Sequence, residues 1–229
     1  MIDSVHVIGA RGRVGGAVSA RLAEQGVELG ESPAGADLVL LCVPDRAIAE
    51  VADSIAPGPW VAHVSGATPL AALDPHSKRL SVHPLQTFTR ARGPEQLDGA
   101  WAAVTAENVE ARSIGWDLAD TLGLRPFDLA DANRTLYHAG AAIASNYLVT
   151  LYRAASRLFE DAGAPPEGLV PLMTRTIENG FELTGPISRG DWSVVDAHLG
   201  ALHDAHPELE PMYRVLAFLT APERLGTAS

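Results

Sequence analysis

One cysteine, one lysine and no apolar run of membrane-spanning length occur among 229 residues, and each scarcity removes a class of protein. The lone thiol, Cys42, cannot form a disulfide within the chain. Its place inside the apolar run from Leu38 to Val43 marks it as a small core side chain rather than a reactive nucleophile. Without a stretch of about 18 apolar residues, no helix crosses a bilayer. Basic residues are scarce too: 17 Lys and Arg against 28 Asp and Glu leave a formal charge of −11, so nucleic acid and an anionic membrane surface are repelled on balance. There is no Gly-x-Ser-x-Gly elbow, and His63 and Ser65 share one short strand whose alternate residues point in parallel, which argues against hydrolase chemistry. The apolar pattern starts at Val5, too early for a charged and apolar leader, so a cytoplasmic location is expected.

What is present is a hydrophobic share of 47%, enough for one large core or two modest ones. Apolar runs at Val5 to Ile8, Leu38 to Val43, Trp60 to Val64, Leu80 to Val82 and Trp101 to Val104 alternate with helical patterns such as Arg46 to Ile55. That rhythm belongs to an α/β protein with a mostly parallel sheet and crossover helices. From Asp131 the strand signals stop, and helical patterns run through Asp161, then from Glu167 to Leu183, Asp191 to Leu202 and Pro207 to Leu219. The expected division is 1–130 for the sheet domain and 131–221 for an all-α domain, with a disordered tail at 222–229.

The strand Val5 to Ile8 runs into Gly9-Ala10-Arg11-Gly12-Arg13-Val14-Gly15, followed by the helical pattern Val14, Val18, Leu22. A strand, a glycine turn and a helix N-terminus aim backbone N–H groups at an anion, and a pyrophosphate fits there. The segment that follows is short. Only Val27 to Leu29 and the loop from Gly30 to Asp37 precede the next strand, fewer residues than the dozen or so of a parallel crossover. The chain therefore either runs bare across the sheet or has only a stub of a strand at the edge. Glu31 stands where an acid would take the ribose hydroxyls of NAD, whereas Arg11 and Arg13 would attract the extra phosphate of NADP, so the choice of nicotinamide stays open.

Ligands of open parallel sheets bind beyond the carboxyl ends of the strands, which directs attention to Pro44, Asp45, Ser65, Gly66, His83, Gln86 and Thr87. Asp45 and Thr68 also read as helix N-caps, and Ser65-Gly66 as a tight strand exit. His83 precedes Pro84, so its backbone is held extended and its ring is presented at the mouth of the sheet. In the second half, His138, Ala142, Ser145 and Asn146 share one helical face among small neighbours. They read either as a tightly packed helix or as a surface that lets a substrate approach, with His138 or Asn146 bonding the reacting group. His198, His203 and His206 have spacings of five and three, which is not one helical face, and no metal site is expected.

The segments VHVIGARGRVGG, ADLVLLCVPDRAIAEVA, VAHVSGA, SVHPLQTF, LYHAGAAIASNYLVTL and LTGPISRGD together resemble the Rossmann-like proteins that join a dinucleotide-type half to a helical domain of unknown function. These are similar in plan to pyrroline-5-carboxylate reductase, ketopantoate reductase and the 6-phosphogluconate dehydrogenase superfamily. The resemblance spans Val5 to about Leu219. It implies hydride transfer from NADH or NADPH to a small oxo or imino acid, a homodimer, and a 6-phosphogluconate-dehydrogenase-like helical domain after a Rossmann-like sheet that is here shortened past its second strand. In some branches a lysine one turn before an asparagine is the general acid. With that asparagine at Asn146, the lysine position holds Ala142, and Lys78 lies at the wrong end of its strand. The proton then comes from His83, His138 or water.

The expected catalytic groups are His83, His138 and Asn146. Gly9, Arg11, Gly12, Arg13, Val14, Gly15, Pro44, Asp45, Ser65 and Gly66 are expected to hold the cofactor. Gln86, Thr87, Ser145 and Arg189 are expected to hold the substrate, Arg189 through a carboxylate, with Asp191 capping the next helix. The leading reading is an NAD(P)-dependent reductase of a small carboxylated carbonyl or imine compound, possible substrates including ketopantoate-like acids. The alternative is a noncatalytic ligand-binding or dimeric interaction protein with impaired dinucleotide binding, and a phosphate-binding transferase is a third.

Overall fold

The computed structural model describes residues 2–221, so the tail expected at 222–229 lies outside the described residues. The chain forms two compact units, Met1–Asn146 and Tyr147–Ser229. The first contains a seven-stranded sheet of order β2-β1-β3-β4-β5-β6-β7, with β1 at Ser4–Ile8, β2 at Glu28–Leu29, β3 at Leu38–Leu41, β4 at Trp60–His63, β5 at Arg79–Pro84, β6 at Trp101–Ala106 and β7 at Arg125–Asp128. All pairs are parallel except β5 with β6. This is the Rossmann-like sheet, and its shortening is visible at β2, a two-residue stub beyond which the chain crosses bare to β3.

Continuous apolar stretches make the central strands because both faces of the sheet are covered. On one face Leu38, Leu40, Leu80 and Val82 pack against Val18 and Leu22 of α1 (Arg13–Glu24) and Leu118 and Ala119 of α3 (Val109–Thr121). On the other, Val39, Leu41 and Val61 pack against Ile48 and Ala52 of α2 (Ile48–Asp53) and against Leu70 and Leu73. Burial also pushes the Cys42 thiol up to about 12, so it carries no thiolate at neutral pH.

Several local expectations change. Strand β7, which is not among the apolar runs read as strands, carries Pro126, tolerated because β7 is the sheet edge. Pairing with β6 extends β5 to Pro84, so His83 is a strand residue. Neither Asp45 nor Thr68 is an N-cap: Pro44 and Pro69 hold those positions, and the Leu70 N–H is taken instead by Asp131 Oδ1 at 3.1 Å. Asp191 does sit at the N-cap of its helix, but its carboxylate accepts from Arg189 Nε at 2.9 Å rather than from the helix.

The first unit also holds α4 (Arg134–Ala142), so the helix bearing His138 belongs with the sheet. It does not continue as α-helix: residues Ile143–Tyr147 are wound as a π-helix. The second unit consists of α5 (Leu148–Asp161), α6 (Leu169–Glu178), α7 (Pro186–Arg189), α8 (Trp192–Ala205) and α9 (Glu210–Thr220). Helix α6 stops at Glu178 rather than Leu183 because Gly180, at φ +70°, closes it: the N–H groups of Gly180 and Phe181 return to the carbonyls of Ile177 and Thr176. The three C-terminal histidines are each engaged separately, His198 with the Tyr213 hydroxyl, His203 with Glu210 and His206 with Asp161. Among the described residues no helix is long and apolar enough to cross a membrane.

Arg21 is the main polar tie of the α1 face. Its guanidinium donates to the carbonyls of Leu122 and Pro94 and to the Asp98 and Glu24 carboxylates, joining α1 to the end of α3 and to the segment before β6. Arg21→Met keeps the apolar stem and deletes these bonds. We expect it to cost about 2 kcal/mol, read as a lower urea midpoint at unchanged m-value.

Candidate functional site

The carboxyl ends of β1, β3, β4 and β5 open toward the side where α1 begins. The glycine turn is built on close backbone contacts. Gly9 has φ +94°, and a Cβ there would stand 2.4 Å from the Cys42 carbonyl oxygen; a Cβ on Gly15 would stand 2.2 Å from the Gly9 oxygen. Both glycines are therefore structural. Gly12 is the N-cap of α1, in extended conformation, and its own Cβ would stand a tolerable if tight 3.1 Å from the Gly9 oxygen. The N–H groups of the first turn of α1, unpaired within the helix, face outward beside exposed Arg11 and Arg13.

A cleft of about 820 Å³ lies against this turn. Arg13 and Val14 from α1 line it, as do His83, Gln86 and Thr87 from the end of β5 and His138, Ser145 and Asn146 from α4 and the π-helix. Eight of the residues expected from sequence thus meet around one space. Others stand elsewhere. Pro44 and Asp45 are exposed at a short 3-10 turn. Ser65 is buried, and its Oγ accepts from the Ala67 and Thr68 N–H groups as the tight strand exit. Arg189 is in the second unit, paired with Asp191. Ser145 turns its hydroxyl back onto the Ala141 carbonyl at 2.7 Å, a helix-packing bond. A larger hollow of about 930 Å³ lies at the opposite, amino ends of the strands, lined by segments 32–37 and 54–60; it lacks the glycine turn and the histidines, and ligands of such sheets bind at the carboxyl ends.

Gly66 makes room for two histidines. A Cβ at this position would lie 2.7 Å from His138 Cδ2 and 2.8 Å from His83 Nε2, so the absence of a side chain lets both rings settle over its backbone. The two imidazoles meet edge to face with centroids 6.2 Å apart. His83 Nδ1 and the Tyr137 hydroxyl form a hydrogen bond of 2.7 Å.

Beneath these rings lies a buried cation that sequence reading missed. In register across the sheet, His63 of β4, Ser81 of β5 and Thr105 of β6 form one row. Arg134, 1% exposed, lays its guanidinium over that row, donating to Thr105 Oγ1 at 2.7 Å, to Ser81 Oγ at 3.0 Å and to the Ser65 carbonyl. All three acceptors are neutral. The nearest carboxylate, Asp131, stands 3.9 Å from Nε. Arg134, Tyr137, His138 and Ala141 fall at i, i+3, i+4 and i+7, the spacing of an inward helical face, and that pattern could have revealed the arginine and the tyrosine together.

Burial chiefly, with the His138 and Arg134 charges adding, pushes His83 down to about 4. Burial, then Arg134 and His83, pushes His63 down to about 3. Both rings are neutral at physiological pH, so His83 is not a charged acid in the resting protein. Burial raises Tyr137 to about 12 against the pull of Arg134. Depressed histidines bind fewer protons folded than unfolded. Their stabilising contribution is therefore full above the unfolded value of 6.5 and is lost as pH falls from there through about 4 for His83 and about 3 for His63. We expect the urea midpoint to drop over that window, and His83→Gln to flatten part of the drop.

No curated protein matches the chain. Among solved structures, it is similar to a candidate NADP oxidoreductase from Bacteroides fragilis, with 22% identity and a TM-score of 0.79 over 97% of this chain and 99% of that one. A protein from Thermotoga maritima shows 23% identity and a TM-score of 0.75 over 96% and 97% of the two chains. The pyrroline carboxylate reductase of Plasmodium falciparum, solved with NADP bound, shows 11% identity and a TM-score of 0.60 over 100% and 98%. At these identities the likeness is one of fold. Residues 100–220, from β6 through the helical unit, match the family model described as "Domain of unknown function (DUF2520)", and with more than half of its length matched, the chain belongs to that family.

Proposed function

We propose that the chain is an NAD(P)H-dependent oxidoreductase that reduces a small carboxylated carbonyl or imine compound in the cleft above His83. One observation carries this reading: residues of the first turn of α1 and the His83/His138 pair line the same space. An anion-binding turn and a pair of hydrogen-bonding rings thus face one ligand. The Bacteroides structure, described as a candidate NADP oxidoreductase, and the Plasmodium structure, with NADP bound, support it by likeness.

The residues present fit a dinucleotide. Gly12 carries no side chain where a pyrophosphate would approach the α1 N-terminus, and Arg11 and Arg13 add positive charge at the same end. Bound there, the reduced nicotinamide would supply the hydride. The chain itself would orient the acceptor with Gln86, Thr87 and Asn146, and place Arg13, the neutral His83 and His138 near its oxygen or nitrogen. The described cleft lining contains no carboxylate, which suits an anionic substrate in a protein whose formal charge is −11.

The assembly we propose is a homodimer through the helical unit. Leu151 of α5, Leu172 and Ile177 of α6, Phe181, and Val215 and Leu219 of α9 are all exposed, whereas the large apolar side chains buried in that unit are Leu169, Val195 and Leu202. So much uncovered apolar surface beside so small a core suits a second copy presenting the same face.

Calorimetric titration with NADPH and with NADH tests the reading. Micromolar heat with either supports it, and Gly12→Leu should weaken that binding at least tenfold while leaving the thermal midpoint within a few degrees; no heat with either nucleotide would favour a noncatalytic ligand-binding protein, in keeping with the stub at β2. For the dimer, sedimentation velocity should give twice the chain mass. Leu172→Glu should return the single-chain mass, and a wild-type monomer at all concentrations would refute the interface.

A further inference from the structure

The oxidoreductase reading leaves open how an uncharged histidine assists the reaction, and the contacts of Tyr137 bear on this. The Tyr137 hydroxyl is hydrogen-bonded to His83 Nδ1. The rings stand nearly perpendicular, at 86° with centroids 5.5 Å apart, so the hydroxyl meets the imidazole at its Nδ1 edge. The opposite edge packs over Gly66, where a Cβ would stand 2.8 Å from Nε2, and His83 lines the cleft. We propose that Tyr137 is a positioning residue: it donates its O–H to Nδ1 of His83 and so holds the imidazole in the Nε2–H tautomer, which serves as a neutral hydrogen-bond donor to the acceptor atom of the substrate.

Three further features support this assignment. The charged or titratable groups around His83 are Tyr137, His138 and Arg134 of α4 and His63 of β4, and the only permanent charge among them is the Arg134 cation. A second positive charge on the ring is therefore opposed from below, which leaves two neutral tautomers to choose between. Tyr137 keeps its proton, being raised to about 12, so its oxygen is a ready donor. Finally, Ser81 and His83 sit two apart on one face of β5, and Arg134 donates to Ser81, which ties the strand that carries the ring to the helix that carries Tyr137.

The proposal rests on the reductase reading and gives the site a definite electrostatic role. Hydride addition to the carbonyl or imine carbon breaks the π bond and gathers negative charge on oxygen or nitrogen. Nε2–H would stabilise that charge by hydrogen bonding, as a preorganised neutral donor does. It would not release its proton, because that would leave an imidazolate. The proton that completes the product would come from water entering the cleft.

Long-range proton–nitrogen NMR of the full-length chain, uniformly labelled with ¹⁵N, reads the tautomer directly, with His83→Gln assigning the signal. At neutral pH the wild type should show Nδ1 without a proton and Nε2 with one. Tyr137→Phe, which deletes only the hydroxyl, should lose the single-tautomer signature and shift the Nδ1 resonance toward the mixed-tautomer average. A protonated Nδ1 in the wild type, a charged ring at neutral pH, or a spectrum unchanged by Tyr137→Phe would overturn the proposal. If the variant fails to fold, the wild-type signature alone decides. NADPH calorimetry on the same samples separates the two claims. The expected tautomer with no nucleotide heat would remove the reductase reading but uphold the Tyr137–His83 arrangement, whereas the opposite tautomer with nucleotide bound would refute this inference alone.

Discussion

The buried guanidinium of Arg134 is the interaction on which the site depends. It joins the exit of β4, the middle of β5 and the end of β6 through Ser65, Ser81 and Thr105, whose hydroxyl in turn donates to the Leu129 carbonyl. It also anchors the first residue of α4 to the sheet, which brings Tyr137 and His138, one turn later, over Gly66 and beside His83. A buried charge is costly unless its hydrogen bonds are made. Arginine suits the place because its planar fork reaches three acceptors at once and stays charged where a lysine would neutralise.

Burial chiefly, with this cation adding, keeps His83 and His63 uncharged at neutral pH. Missing side chains matter as much as present ones here. Gly66 makes room for two rings, Gly9 and Gly15 let the turn close on itself, and Gly12 leaves the helix N-terminus open. The π-helix from Ile143 to Tyr147 falls where Asn146 reaches the cleft lining, in keeping with the tendency of such turns to occur at functional sites.

Much of the fold was legible in the sequence because its signals are local. The runs Leu38 to Leu41 and Trp60 to His63 announce buried parallel strands, the glycine turn announces α1, and the shortness of the Gly30 to Asp37 loop announces the stub at β2. What was misread depended on partners distant in the chain. Strand β7 forms despite Pro126 because it needs to pair on one side only, and Asp131 rather than Thr68 satisfies the Leu70 N–H from 61 residues away. The candidate site was partly legible for the same reason. His83 stood out through the proline after it, and His138 and Asn146 through helical spacing; Arg134 and Tyr137 share a helical face with His138, but spacing alone does not say whether that face is turned to the sheet or to solvent.

The sequence by itself determined the class of fold, the phosphate-type turn, the shortened second crossover and the helical character of the second half, since periodicity, glycine placement and segment length act over a few residues. Only the tertiary structure decided that Ser65 closes a tight strand exit, that Gly66 makes room for two imidazoles, that Arg134 is buried among neutral acceptors, and that the Tyr137 hydroxyl meets Nδ1 of His83. Those outcomes follow from which strands lie side by side and which helix face covers them, and burial and hydrogen-bond satisfaction are properties of that arrangement rather than of any one segment.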